Sequence, residues 1–292
     1  MAWRTIRGIP YSRTLLLPNG DVRTIFVANG PGSTVPASPE YRNNRDDAPR
    51  PVAAMARAYP DGEEIPLHIH KRGQLIHAVA GTMRVQTADA AWIVPPALAL
   101  WMPPACPHGM AMRGRLEMRT VYIDPGACEN LPKSPILVEI GGLLRELILA
   151  ALEEPLDYDE SGRGGLVAHL ILAELARMQD RKLSVPMPSD ARALRVARAL
   201  LARPDTPFGL DRWAEFGGAS RRTLARLFRA ETGFSFHEWR ARLRAIDGLA
   251  RLSSGEPVGA VAASVGYASP SAFTAMVRRN FGGPPRRLMR AQ

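Results

Sequence analysis

Cysteine is scarce in this chain of 292 residues, and the two present, Cys106 and Cys128, share no spacing that suggests a zinc site. That scarcity excludes a disulfide framework and fits a reducing compartment. Long apolar runs are also missing. Residues 90–106 carry no charge, but Pro95, Pro96, Pro103 and Pro104 interrupt them, whereas a membrane-spanning helix needs about 20 consecutive apolar residues. The first residues lead into no apolar stretch followed by a small-residue cleavage site, so no secretory leader is indicated and a soluble, cytoplasmic protein without membrane contact is expected. Lysine is absent from residues 190–292, which hold 18 arginines and 8 acids, while residues 1–189 hold 20 residues of each sign. The whole net charge of +10 therefore lies in the last third of the chain. A basic segment on a neutral remainder is the footprint expected of a nucleic-acid-binding module, because cationic side chains displace counterions from phosphates.

The length and a hydrophobic content of 46% allow about two domains with cores of their own. Residues 29–51 are rich in Pro, Gly, Asn and charge, and residues 1–50 are expected to form a flexible extension or arm, with a short hairpin turning at Pro18, Asn19, Gly20 and Asp21. Over 51–130, short apolar or alternating runs at 74–79, 83–87 and 119–123, punctuated by Gly and Pro, predict an all-β barrel or sandwich. Over 131–184 the period changes. Ile136, Ile140, Leu143, Leu144, Leu147, Ile148, Ala151 and Leu152 follow helical spacing, and a second helix is expected over about 165–179. This helical connector is a candidate dimerisation element. Pro186 and Pro188 then break the chain, and Ser189 or Asp190 offers an N-cap to a C-terminal domain over 189–292.

That domain is expected to hold seven short helices, among which one pattern occurs twice: a short helix, a Gly-containing turn, a Ser cap and a second helix with apolar residues inward. The first copy has Ala214, Gly218 and Ser220 before Leu224, Leu227 and Phe228. The second has Ala262, Gly266 and Ser269 before Phe273 and Val277. Each alanine stands four residues before the turn glycine, where two helices cross closely. At about 100° per residue, Arg222, Arg226 and Arg229 lie opposite the apolar side of the first unit's second helix. Arginine suits bidentate contact with guanine O6 and N7, so Arg222 and Arg226 are the expected base readers, and Arg221 and Arg229 the expected phosphate contacts. On the corresponding helix of the second unit the outward positions are Ser271, Ala275 and Arg278, flanked by Thr274 and Arg279, with Ser269 at the cap. This face is expected to anchor the DNA backbone more than to read sequence.

The second unit closes on Phe281, Gly282, Gly283, Pro284, Pro285, Arg286 and Arg287, and the first carries Ser220, Arg222, Thr223, Leu224, Arg226, Leu227 and Phe228 followed by Glu231, Thr232, Gly233, Phe234, Ser235 and Phe236. Over roughly 100 residues this resembles the DNA-binding domain of the AraC/XylS family of transcription regulators. The resemblance implies two helix-turn-helix units joined by a long helix over about 235–253, entering successive major grooves, with RNA polymerase as a further partner.

The β region carries Gly62, His68, His70, Gln74 and Gly81, and later Pro103, Pro104, Cys106, Pro107 and His108. This is similar to the two cupin motifs, with Gln74 at the usual Glu position and Ala97 and Ala105 at the usual Gly positions. Three uses of His68, His70, Gln74 and His108 remain open: ligands to a divalent metal, the lining of a small-molecule effector pocket, or core histidines satisfied internally. Trp92, Trp101 and Met102 are candidates to line such a pocket. The combined expectation is an α+β multidomain chain, a cupin-like barrel followed by a helical connector and an all-α domain with two helix-turn-helix units. It is resembled by the cupin-sensor branch of the family: a one-component, effector-responsive, homodimeric regulator that activates or represses. The alternative is a cupin metal-dependent enzyme with a helical appendage, although no paired general acid and base stands out.

Overall fold

A computed structural model describes residues 12–16, 22–26, 45–285 and 288. Strands β1 (Ser12–Leu16) and β2 (Val22–Phe26) pair antiparallel, with Ser12 opposite Phe26 and Leu16 opposite Val22. Residues 17–21, where the sequence places the hairpin turn, lie outside the described residues.

The main sheet has eight strands: β3 (Val52–Tyr59), β4 (Glu64–His68), β5 (Gly73–Gln86), β6 (Ala90–Val94), β7 (Leu98–Met102), β8 (His108–Ile123), β9 (Ile136–Glu139) and β10 (Val185–Pro186). The long strands β5 and β8 pair with each other along most of their length. β8 carries β3 and β4 on its far side, while β5 carries β6 and β7. Alternation along β5 sends Gln74, Ile76 and Ala78 to one face and Leu75 and His77 to the other. The first face turns inward with Met83, Val85, Leu100, Met102, Met110, Met112 and Met118. The second meets Trp101, Val121 and the helices.

The sheet reaches further than its apolar periodicity suggests. Residues 136–139, expected to open a helix, instead form β9 against β7, with Ile136 opposite Trp101 and Leu98 opposite Glu139. Ile136, Leu137 and Val138 are all buried, which a two-sided sheet position allows and a one-sided helix would not. Helix α1 (Gly142–Glu153) starts after Gly141 and packs with α2 (Arg163–Ala176) on the outer face of the sheet. Leu144, Leu147, Ile148, Val167, Ile171 and Leu175 meet Leu75, Ala99, Trp101 and Val121 there, each large side chain contributing about 1.5–3 kcal/mol.

The proline-broken segment before the C-terminal domain adds β10 to β6, with Val185 opposite Ala91. Helices α3 (Ala191–Ala202), α4 (Leu210–Gly217), α5 (Arg221–Thr232), α6 (Phe236–Ser253), α7 (Val258–Ser264) and α8 (Pro270–Phe281) follow. Among the described residues these are six, against the seven expected; Pro285 and Leu288 are also helical. The helix starts are capped by side chains the sequence supplies. Asp190 accepts from Arg192 N, Ser220 from Thr223 N and Ser269 from Ala272 N, and Ser235 and Glu238 form a capping box, each cap being worth ~1 kcal/mol. The helical domain rests on the barrel: Trp239 Nε1 donates to Pro186 O at 2.6 Å, Arg242 to Ser184 O at 2.8 Å and Arg84 to Leu201 O at 3.0 Å.

Candidate DNA interface and buried histidine cluster

In the first helix-turn-helix unit, α4 ends on Gly218 at φ +73°, a left-handed turn that glycine enters without steric cost. Ser220 then starts α5. Leu224, Leu227 and Phe228 are buried, and Phe228 stacks edge-on against Phe236 and Trp239. With that side fixed in the core, helical geometry leaves Arg221, Arg222, Arg226 and Arg229 exposed. They differ in their surroundings. Arg221 faces Asp211 at 3.3 Å, and Arg229 faces Glu238 at 3.4 Å and donates to Gly233 O. Arg222 and Arg226 carry no ion pair among the described residues.

The second unit repeats the plan. Gly266 makes the turn at φ +80° and Ser269 caps α8, where Phe273, Met276 and Val277 are buried. Ser271, Ala275, Arg278 and Arg279 are exposed, and Thr274 is half-buried. The outward face therefore offers a hydroxyl at Ser271 and a methyl at Ala275, with guanidinium groups confined to the last turn at Arg278 and Arg279, where α5 carries them from its first turn onward. Both close-crossing alanines, Ala214 and Ala262, are buried.

The arginine surplus is not all surface charge. Arg240, Arg242 and Arg244 on α6 act as backbone clamps: Arg240 donates to Phe208 O, Arg242 to Lys182 O and Ser184 O, and Arg244 to Pro204 O and Asp205 O. Burial lowers the pKa of all three. On the same helix, Asp247 is fully buried and holds both Arg251, one turn on, and Arg113 from β8 of the barrel. Neither the clamps nor this ion pair across the two domains has a local sequence signature.

In the barrel, His68 ends β4 opposite His108 at the start of β8, and His70 follows two residues on. Ala105 N donates to His70 O at 2.9 Å, which holds the 103–107 loop against the end of β4. Ring centroids are 4.4 Å apart for His68 and His108, 4.9 Å for His68 and His70 and 5.7 Å for His70 and His108. One nitrogen from each ring lies within 4.8 Å of the others. Every Nδ1 donates outward: His68 to Pro66 O at 2.9 Å, His70 to Asp46 Oδ2 at 3.0 Å and His108 to Cys106 O at 3.0 Å. This leaves Nε2 as the lone-pair nitrogen in each.

Burial pulls His68 down to about 4 and His108 well below the ordinary imidazole value, against the opposing effect of their backbone acceptors. Both are neutral at pH 7, the form that ligates metals. His108 Nε2 and Gln74 Oε1 are buried without hydrogen-bond partners among the described residues. Gln74 donates through Nε2 to Thr120 Oγ1 at 3.1 Å and Tyr122 OH at 2.9 Å, so its oxygen is the unused end. A cluster of three imidazoles suits an imidazole-preferring divalent ion, and the orphaned His108 nitrogen is the observation that a core-histidine reading leaves unexplained.

Of the aromatic candidates, Trp92 and Met102 join the interior core, whereas Trp101 lies on the other face with Leu75, donating to Pro132 O at 2.8 Å. The strand period explains the difference, since adjacent residues 101 and 102 must face opposite ways. Tyr122, Thr120 and Asp46 support the cluster although sequence reasoning did not single them out. Ala105, where the cupin motif usually has glycine, sits at φ +58°. Ala105→Gly is therefore expected to stabilise the barrel by about 0.5–1 kcal/mol, the usual cost of left-handed backbone at a residue with a Cβ being of that order or larger; thermal melting of the full chain measures it.

A β-barrel with a buried polar cluster, tied to paired helix-turn-helix units that present arginine, defines a ligand-responsive DNA-binding regulator. Residues 51–194 match the AraC-like ligand binding domain and residues 213–291 a helix-turn-helix domain. The HTH-type transcriptional regulator NimR of Escherichia coli (strain K12) is 32% identical over 239 residues, 82% of this chain and 87% of that protein. The HTH-type transcriptional regulator RipA of Corynebacterium glutamicum is 37% identical over 113 residues, 38% of this chain and 34% of its own length. ToxT from Vibrio cholerae covers 82% of this chain and 97% of its own at 10% identity and a TM-score of 0.35, too loose a superposition to carry argument. The chain belongs to the AraC family of transcriptional regulators. It is a regulator with a DNA-binding and a ligand-binding domain rather than an enzyme. Among the described residues, no helix is long and apolar enough to cross a membrane.

Proposed function

We propose that this regulator reads its operator chiefly through Arg222 and Arg226 of α5, with Arg221, Arg229, Ser269, Ser271, Thr274, Arg278 and Arg279 contacting the backbone and flanking positions. The exposure of Arg222 and Arg226 beyond a fully packed Leu224–Leu227–Phe228 side carries this reading. In the barrel, His68, His70 and His108 hold a divalent ion, and Gln74, whose buried Oε1 has no hydrogen-bond partner among the described residues, serves the same site. A small organic effector in the same barrel is the second reading, favoured by the methionines of its interior, whose flexible thioethers repack readily around a ligand.

The working unit is a homodimer in the cytoplasm, in contact with RNA polymerase, and the residues that support the dimer are Leu143, Leu149, Leu166 and Leu170. These leucines of α1 and α2 stay 40–65% exposed, an apolar face of the kind that packs against a second copy. Leu166→Glu is expected to shift the chain to monomer in sedimentation velocity with its melting temperature kept, and an unchanged sedimentation profile would remove these helices from the interface. The regulatory reading is tested by footprinting the DNA beside the chain's own gene with metal-loaded and chelator-treated protein. A protected pair of half-sites that changes in extent or affinity with metal supports it, and protection indifferent to metal and to candidate effectors overturns it.

A further inference from the structure

We infer that Asp46 is a positioning residue of the histidine cluster, and that the strap of residues 45–52 carrying it links metal occupancy to the α1–α2 hairpin. This rests on the metal reading above. His68 and His108 donate to carbonyls only two residues away in their own loops, whereas His70 donates to a carboxylate 24 residues distant. His70 therefore connects the cluster to another segment of the chain.

That segment lies in the Pro- and charge-rich stretch which composition assigns to a flexible arm, yet here it is held tightly. Arg72, only 4% exposed, donates to Asp46 O at 3.4 Å, Ala48 O at 2.5 Å, Arg50 O at 2.9 Å and Pro51 O at 3.2 Å, and faces Asp124 at 3.5 Å. One buried guanidinium thus satisfies four carbonyls of the strap. From the strap, Arg50 donates to Tyr158 O at 2.6 Å and Asp157 O at 3.2 Å, and faces Glu160 at 3.4 Å. Val52 N donates to Tyr158 OH at 3.3 Å. Tyr158 in turn lies against Gly164 in the first turn of α2, where an added Cβ would strike its ring. A continuous path of hydrogen bonds and packing therefore runs from His70 through Asp46, Arg72, Arg50 and Tyr158 to α2.

A cation on Nε2 of His70 withdraws charge from the ring and strengthens its Nδ1–H bond to Asp46, and the carboxylate in return raises the basicity of the ligand. Binding of metal and seating of the strap must then favour each other by the same factor. Asp46 Oδ1 has no hydrogen-bond partner among the described residues, which leaves the carboxylate poorly compensated until the ring it faces carries more positive charge.

The test uses the full chain, with Zn²⁺ and Co²⁺ affinity measured by chelator competition, Co²⁺ absorption spectra, and hydrogen exchange with and without metal. Asp46→Asn is expected to weaken metal binding by about 10–100-fold and to alter the Co²⁺ spectrum. Arg50→Gln, which leaves the cluster untouched, is expected to keep affinity within a few-fold while losing the metal-induced protection of residues 157–164. If wild type binds no metal, or binds it equally after His70→Ala, the metal reading fails and takes this inference with it. If metal binds through the histidines but Asp46→Asn binds as tightly as wild type, or protection never extends to 157–164, this inference alone is overturned.

Discussion

Arg226→Ala is expected to lower specific operator affinity by about 1–3 kcal/mol while leaving affinity for random DNA at the same salt nearly unchanged, and adding Arg222→Ala should bring specific and nonspecific binding close together. The reasoning starts from α5. Its apolar side is committed to the core through Leu224, Leu227 and Phe228, so the helix cannot rotate its arginines away from the exposed face. Of the four arginines on that face, Arg221 and Arg229 already have acidic neighbours, whereas Arg222 and Arg226 are exposed and carry no ion pair among the described residues. Arg278→Ala, in the last turn of α8, should instead weaken all sequences alike and reduce the slope of log affinity against log salt by about 1. Binding isotherms on operator and scrambled duplexes at several salt concentrations decide the matter. A larger loss of discrimination from Arg278→Ala than from Arg226→Ala would reverse the assignment of the two helices.

The second large effect concerns the scaffold that presents both helices. Phe273→Ala is expected to destabilise the C-terminal domain by about 3–5 kcal/mol, as for a fully buried aromatic whose site cannot collapse. Phe273 is 0% exposed and lies directly on Gly248, the point at which α8 crosses the connecting helix α6. A Cβ at position 248 would press into the Phe273 ring, with Val261 Cγ1 also 3.4 Å away. Gly248→Ala in the native background is therefore expected to cost about 1–3 kcal/mol by overpacking, more than the ~1 kcal/mol that alanine gains over glycine in a helix interior. In the Phe273→Ala background the same substitution should become stabilising, because the obstruction is gone and the helix preference remains. Denaturant unfolding of the four proteins in this cycle measures the coupling, and additive effects would mean that the two residues do not meet.

Much of the molecule was legible in advance wherever a local rule governs it. The caps Asp190, Ser220 and Ser269, the turn glycines Gly218 and Gly266, and the inward positions of α5 and α8 all follow from helical spacing and from side chains that satisfy free backbone N–H groups. His68 and His70, two apart, would share a face if both lay on a strand; β4 ends at His68, and His70 reaches the cluster from the loop beyond it. The expected helix over 136–152 opens as strand over 136–139, because the apolar residues 136–138 fit either period and only their pairing with β7 decides between them.

What the sequence by itself determined is the architecture and the family: a β domain, a helical connector and two helix-turn-helix units, each written in short-range periodicity and turn chemistry. What only the tertiary structure decided is the use of individual charges. The 18 arginines of the last third count alike in a net charge, but Arg240, Arg242 and Arg244 spend theirs on backbone carbonyls of distant loops, while Arg222 and Arg226 keep theirs for solvent. Asp46, in a stretch whose composition reads as an arm, proves to be the partner of His70. The physical reason is the same in each case. A helix or a turn is set by neighbours within about four residues, whereas the partner of a buried charge is whichever group the folded chain brings within hydrogen-bonding distance, and no local pattern records that choice.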